Sequence, residues 1–117
     1  MECKEKKRSL FYYLNDDNST RECDVMEWCH QLEEMNKYSK HHLGFDEVKG
    51  YLVSTIWIGS NMNYSGVGPP LIFETLIFND KDSMYCEKYS TWDEAIDGHE
   101  RAIQWVKNGC MVDEPCI

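Results

Sequence analysis

Two apolar segments, 51–58 and 71–78, constrain the fold of this chain more than any other feature. They read YLVSTIWI and LIFETLIF, and the insert 60–70 between them is rich in Gly, Asn, Ser and Pro. β-Branched and aromatic side chains favour strands, whereas Gly, Asn and Pro favour turns. We therefore expect two neighbouring strands joined by a loop that is longer than an ordinary hairpin turn.

Both faces of these two strands are apolar. Successive side chains of a strand point to opposite faces, and in each segment both alternating sets are largely hydrophobic. Helices on one side of a sheet cover only one of its faces. The second face then requires the long loop, the N-terminal strand or a second copy of the chain, and a homodimer through the sheet is one hypothesis.

Further strands are predicted on either side of this pair. The aromatic run 10–14 precedes a strong turn signal, NDDNST. Segment 38–48 is predicted as a strand with a bulge at Gly44. Segment 84–89 follows a short polar turn and completes an antiparallel meander.

Two helices are predicted from apolar side chains that recur every three or four residues. The first spans 25–36, with Asp24 as N-cap and an acidic residue three positions later. The second lies between the cap Thr91 and Asn108. Gly98 inside it costs about 1 kcal/mol against Ala, so we expect a close backbone approach there.

These elements predict one α+β domain. It consists of an antiparallel β-meander of about four to five strands with two helices packed on one face. The domain spans 10–109, with a charged flexible tail at 1–9 and a C-terminal tail at 110–117.

The chain is acidic, with a formal net charge of −9. The first eight residues carry four basic and two acidic side chains, so the remaining chain carries −11. Such a surface repels phosphate backbones, which excludes direct nucleic-acid binding as the favoured function. It fits a basic partner protein, although solubility alone is the commoner reason for such a charge.

The six cysteines predict neither a disulfide framework nor a zinc site. The N-terminus lacks the apolar core of a signal peptide, and Cys29 lies on the predicted apolar stripe of the first helix, where free cysteine is common. No two cysteines have the close spacing that zinc requires. We therefore expect a reduced, cytoplasmic chain with no metal and no cofactor. No run of 18 apolar residues is present, so no membrane span is expected.

Candidate catalytic residues are few. His99 lies on the apolar stripe of the second helix, where a histidine is usually a satisfied core residue. Glu74 lies within a predicted strand between apolar neighbours, and His99 or Thr55 are its candidate partners. A buried Glu74–His99 pair would indicate a small hydrolase or a metal-dependent enzyme. No nucleophile elbow or phosphate-binding loop is present.

The sequence resembles a family of small, uncharacterised bacteriophage and prophage proteins. The resemblance covers about residues 11–107 and is carried by Val53-Ser54-Thr55, Trp57, Gly59, Gly68 through Thr75, Phe78, Tyr89-Ser90-Thr91, Glu94-Ala95 and Gly98-His99. The family has no established activity, so the resemblance implies origin and fold. Relatives often carry Asp-His after the first glycine, where this chain has Asn61-Met62, and this departure weakens the enzyme hypothesis.

The leading hypothesis is a non-enzymatic phage or prophage accessory protein that acts by protein–protein binding in the cytoplasm of a bacterial host. An acidic inhibitor of a host nucleic-acid-handling or defence complex, such as an anti-CRISPR protein, is its most concrete form. The alternatives are the Glu74–His99 enzyme and a self-associating structural protein. The residues predicted to bind the partner are Trp57, Met62, Tyr64, Glu74, Asp93 and Asp97.

Overall fold

The computed structural model describes residues 9–38, 40–81 and 83–109. Its elements, in chain order, are β1 (Phe11–Leu14), β2 (Thr20–Cys23), α1 (Val25–Lys37), β3 (His42–Val48), β4 (Tyr51–Trp57), β5 (Phe73–Phe78), β6 (Ser83–Tyr89) and α2 (Trp92–Lys107). The predicted α+β fold is confirmed. Most of the predicted tails, 1–8 and 110–117, lie outside the described residues.

Strands β3 to β6 form a four-stranded antiparallel meander in chain order. The register between β3 and β4 shifts between His42 and Gly44, which is where the bulge was predicted. Lys49 and Gly50 both have positive φ, 53° and 86°, and make the tight turn from β3 to β4. Local turn chemistry therefore determined this part of the sheet.

The N-terminal strand does not join the meander. It pairs with β2, a strand that the sequence did not predict, because Thr-Arg-Glu-Cys shows no apolar alternation. This hairpin is attached to the end of the meander by two backbone hydrogen bonds, from Tyr12 N to Gly59 O at 2.8 Å and from Asn61 N to Leu10 O at 2.8 Å. The N-terminal strand is thus placed at the end of the sheet and not on its second face.

Helix α2 lies across all four strands of the meander. Its predicted capping box is present, with Thr91 and Glu94 each accepting a hydrogen bond from the other's backbone N–H. The close approach at Gly98 comes from a side chain and not from backbone, because a Cβ there would overlap the Tyr89 hydroxyl. One side of the helix is buried on the sheet, through Ala95, Gly98, His99, Ala102, Ile103 and Val106.

Helix α1 packs against β1 at the end of the sheet. Asp24 caps it by accepting from Glu27 N at 2.9 Å, as predicted. No residue of α1 is fully buried. The expectation that Cys29 lies on a buried face is wrong, because the two-stranded hairpin is too small to cover the whole apolar stripe and leaves Cys29 exposed.

The hydrophobic core lies between the sheet and the helices, in two clusters. One cluster comprises Val53, Ile77, Ala102, Ile103 and Val106. The other comprises Trp57, Ile72, Phe73, Tyr89 and Ala95, with Leu32 and Met35 of α1 packed against it. Both helices therefore reach the same core. None of the helices in the described part of the chain has the length and apolar character that a membrane crossing demands.

Candidate contact surface and the buried polar chain

One face of the meander is turned away from α2. The register places on it Phe45, Glu47, Leu52, Ser54, Ile56, Glu74, Leu76, Phe78, Cys86 and Lys88, and we call this set the open face. Helix α2 lies on the opposite face of the meander. Helix α1 reaches one end of the sheet, where Leu32 and Met35 pack against the core cluster of Trp57 and Phe73. Away from that end, no helix or strand of the described residues covers the open face.

The centre of the open face is apolar. Leu52, Ile56, Leu76 and Phe78 are half-buried. Phe45 on the edge strand β3 is 54% exposed, although it is a large aromatic residue. A contiguous apolar surface of this kind is unusual for an isolated monomer and typical of a contact site.

The charges on the open face largely cancel. Lys88 Nζ lies 3.4 Å from Glu74 Oε2, and the Cys86 thiol donates to the same carboxylate oxygen at 2.9 Å. Burial raises the pKa of the Cys86 thiol, and the hydrogen bond to Glu74 raises it further. The thiol is thus protonated at neutral pH and acts as a donor, not as a nucleophile.

A cleft of about 340 Å³ lies where α1 meets one end of the open face. Its wall includes Trp28, Leu32, Ile56, Met62 and Glu74. In the described part of the chain, two buried side-chain nitrogens lack a hydrogen-bond partner, His41 Nδ1 and Trp57 Nε1, and both of these residues line the cleft. The cleft therefore combines an apolar wall with residues whose ring nitrogens lack a hydrogen-bond partner.

The insert 60–70 is held by its own side chains, and residues 64–69 at its tip are exposed. Asn63 Nδ2 donates to Val67 O and to Pro69 O, both at 2.8 Å. Asn61 Oδ1 accepts from Asn63 N at 2.8 Å and from Leu71 N at 3.1 Å. The long loop is thus a self-bonded projection, and only Met62 reaches the cleft.

A chain of polar side chains runs between the sheet and α2. Asp46 Oδ2 lies 2.6 Å from His99 Nε2, His99 Nδ1 lies 2.7 Å from Thr55 Oγ1, and Thr55 Oγ1 lies 2.5 Å from Thr75 Oγ1. An ionised carboxylate only accepts, so Nε2 carries the hydrogen, and in a neutral ring Nδ1 then accepts from Thr55. Gly44 makes the arrangement possible, since a Cβ there would come within 2.6 Å of His99 Nε2.

Asp46, His99 and Thr55 are linked in the order of a hydrolase triad, but the Thr55 hydroxyl is buried. Thr55 and Thr75 are both 0% exposed, and His99 is 7% exposed. A nucleophile has to reach its substrate, and this one lies beneath α2. The chain satisfies buried polar groups and positions the helix on the sheet.

Glu74 and His99 do not form the pair that the enzyme hypothesis requires. His99 lies on the face covered by α2, bonded to Asp46 and Thr55. Glu74 lies on the open face, bonded to Cys86 and Lys88. Glu74 and Thr75 are neighbours in β5, so their side chains point to opposite faces of the sheet. His99 lies on the same face as Thr75, opposite Glu74.

The residues predicted to bind a partner fall into different environments. Trp57 is only 2% exposed, so it is corrected to a core residue that packs edge-on against Phe73 at 5.0 Å. Tyr64 is 81% exposed on the loop, with its hydroxyl 3.4 Å from Met62 Sδ. Only Glu74 belongs to the open face.

Asp93 and Asp97, also predicted to bind a partner, are exposed on the outer side of α2. Sequence reasoning did not single out Phe45, Leu52, Leu76 and Phe78 as contact residues. The sequence did contain a relevant pattern, because both alternating sets of side chains in the central strands are apolar. This pattern predicted a second apolar face but not which of the two sets would form it.

No group of three or more His, Cys, Asp or Glu side chains in the described ranges is arranged to hold a metal ion. Comparison with known proteins suggests no function for this surface. No protein-family model, no curated protein and no solved structure matches this chain.

Proposed function

We propose that this chain is a non-enzymatic protein-binding module that works through the open face of its sheet. The observation that carries the proposal is the row of apolar side chains, ending in the 54% exposed Phe45, which no other helix or strand of the described residues covers. Apolar surface rimmed by polar residues is typical of protein contacts. The cleft beside α1 extends this surface and fits an anchoring side chain of a partner.

The burial of the polar chain supports a binding role over an enzymatic one. The one arrangement that resembles catalytic machinery has its hydroxyl, Thr55 Oγ1, sealed beneath α2. On the open face, Glu74 is engaged by Cys86 and Lys88. Glu74 lines the cleft beside α1, but no histidine or other general base of the described residues is bonded to it there.

The acidic surface supports a basic partner. The chain carries −9 overall, and Asp93, Asp97 and Glu100 are exposed on the outer side of α2, opposite the open face. Proteins that handle nucleic acids present basic surfaces. Together with the resemblance to phage and prophage proteins, this charge supports an inhibitor of a host nucleic-acid-handling or defence complex, of which anti-CRISPR activity is one form.

The proposal is tested by capture from bacterial lysate with three tagged baits, in cells that also express an untagged copy. The baits are the wild type, Phe45→Lys on the open face, and Val67→Lys as a matched control on the loop, where Val67 is 72% exposed. We expect the wild type and the control to capture the same protein, and Phe45→Lys to lose at least ~10-fold of it.

A double variant, Asp93→Asn and Asp97→Asn, removes two negative charges from the outer side of α2. It tests whether the captured protein is basic, separately from whether it contacts the open face. For a basic target we expect weaker capture, with the largest loss at low salt, because screening already weakens the attraction at high salt. Equal capture by Phe45→Lys and the wild type, or no captured protein with any bait, contradicts the proposed function.

A further inference from the structure

We infer that the occupant of the open face is a second copy of this chain, packed sheet against sheet. This inference rests on the proposed function, because it names the occupant of the same face, and it leaves the acidic outer side of α2 as the surface for a basic host protein. The first support is charge: the open face carries two carboxylates, Glu47 and Glu74, and one ammonium, Lys88. A face of net charge −1 belongs to a chain of net charge −9.

The distribution of charge favours self-association at this face over the acidic outer side of α2. Two copies repel each other wherever their acidic surfaces approach, since like charges oppose association. That repulsion is weak at the open face, because Glu74 and Lys88 are paired within each copy at 3.4 Å. A basic protein, in contrast, finds its complementary charge on the outer side of α2, at Asp93 and Asp97.

The shape of the face also fits a second sheet. Two sheets pack face to face about 10 Å apart with their strands rotated by about 30°, so that side chains of the two inner faces interdigitate. The register pairs the small Ser54 with the larger Leu76 on β5 and with Phe45 on β3, and Ser54 is only 8% exposed between them. A small residue beside a large one is what interdigitation between identical faces needs.

The size of the face predicts a weak dimer. Four strands of about seven residues cover about 20 Å by about 19 Å, given ~3.3 Å per residue and ~4.8 Å between strands. Burying this area on both copies removes about 760 Å² from water, below the ~1,200 Å² at which stable interfaces begin. We therefore expect a weak, transient dimer that dissociates in dilute solution.

The test is sedimentation equilibrium of the purified full chain from ~5 to ~500 µM at low and high salt. The wild-type mass should rise from 13.8 kDa toward twice that value with concentration. Salt should strengthen the dimer because it screens the repulsion between two acidic copies. Binding of a basic protein would show the opposite salt dependence.

Phe45→Lys and Val67→Lys make the same change in charge at two exposed apolar residues, so they form a matched pair. We expect Phe45→Lys to weaken the dimer at least ~10-fold and Val67→Lys to leave it unchanged. Leu76→Lys, with its fold checked by circular dichroism, is the second variant in the centre of the face.

Three outcomes overturn the inference: a wild-type monomer across the whole range, equal dimerisation of Phe45→Lys and Val67→Lys, or a folded Leu76→Lys that still dimerises. A monomeric wild type that captures another protein through the open face overturns the second copy and leaves the proposed function standing. A monomer that also shows no face-dependent capture overturns both.

Discussion

The two faces of the meander are built from the same kind of residues and differ in what lies over them. On the face under α2, Val53, Phe73 and Ile77 are each 0% exposed. On the open face, Leu52, Leu76 and Phe78 of the same strands retain part of their exposure. Apolar composition therefore does not by itself make a core, because burial requires a second layer that matches the first.

The two faces also differ in how far their polar groups are exposed to water. Beneath α2, Thr55 and His99 are satisfied by each other at 2.7 Å in a buried setting. On the open face, Glu74, Cys86 and Lys88 form their contacts within reach of water. A buried hydrogen bond is costly to break, whereas an exposed ion pair contributes little, so substitutions on the two faces should have unequal effects.

The largest expected difference comes from two phenylalanines of β5. Phe73→Ala on the covered face should lower the free energy of unfolding by about 3–5 kcal/mol, because it leaves a cavity in the core. Phe78→Ala on the open face should cost about 1 kcal/mol, since Phe78 is already partly in water. Urea unfolding in dilute solution, where the proposed dimer dissociates, measures both; equal losses would show that the open face is covered within the monomer.

A smaller difference is expected between two neighbours in β4. Thr55→Val keeps the shape of the side chain but removes the donor to His99 Nδ1, and an unsatisfied buried group costs about 1–3 kcal/mol. Ser54→Ala on the open face should change the free energy of unfolding by no more than about 0.5 kcal/mol. The same unfolding experiment compares them, and a Thr55→Val chain as stable as the wild type would deny the polar chain its structural role.

The smallest effect concerns the alkaline limit of the covered face. Burial raises the pKa of Tyr85 to about 12, and its hydrogen bond to Glu87 adds to the rise. The folded state thus holds the phenol proton more tightly than the unfolded state, whose tyrosine pKa is about 10. The associated stability is complete below about pH 10 and is lost as the pH rises from about 10 to about 12.

Tyr85→Phe should therefore flatten part of the decline in stability over that range. Tyr89, whose pKa burial also raises, keeps the remainder. Urea midpoints measured at successive pH values, together with ultraviolet titration of the phenolates, check this. An unchanged pH profile in Tyr85→Phe would place the alkaline sensitivity elsewhere.

Local patterns predicted much of the secondary structure. The capping box of Thr91 and Glu94, the bulge near Gly44 and the close approach at Gly98 depend on residues close in sequence or on a single backbone requirement. Strand β2 was missed because its four residues carry no apolar alternation, and only pairing with β1 makes them a strand. Cys29 was misplaced because an apolar stripe does not reveal how much of it a neighbour covers.

The sequence by itself determined that this chain is an α+β domain whose central strands are apolar on both faces, because strand periodicity is written in neighbouring residues. Only the tertiary structure decided which face α2 covers, and it brought Asp46 to His99 across 53 positions of the chain. That choice depends on contacts between distant segments, which alternation within one strand cannot encode. The position of α2 thus determines which face of the sheet is left open and forms the proposed contact surface.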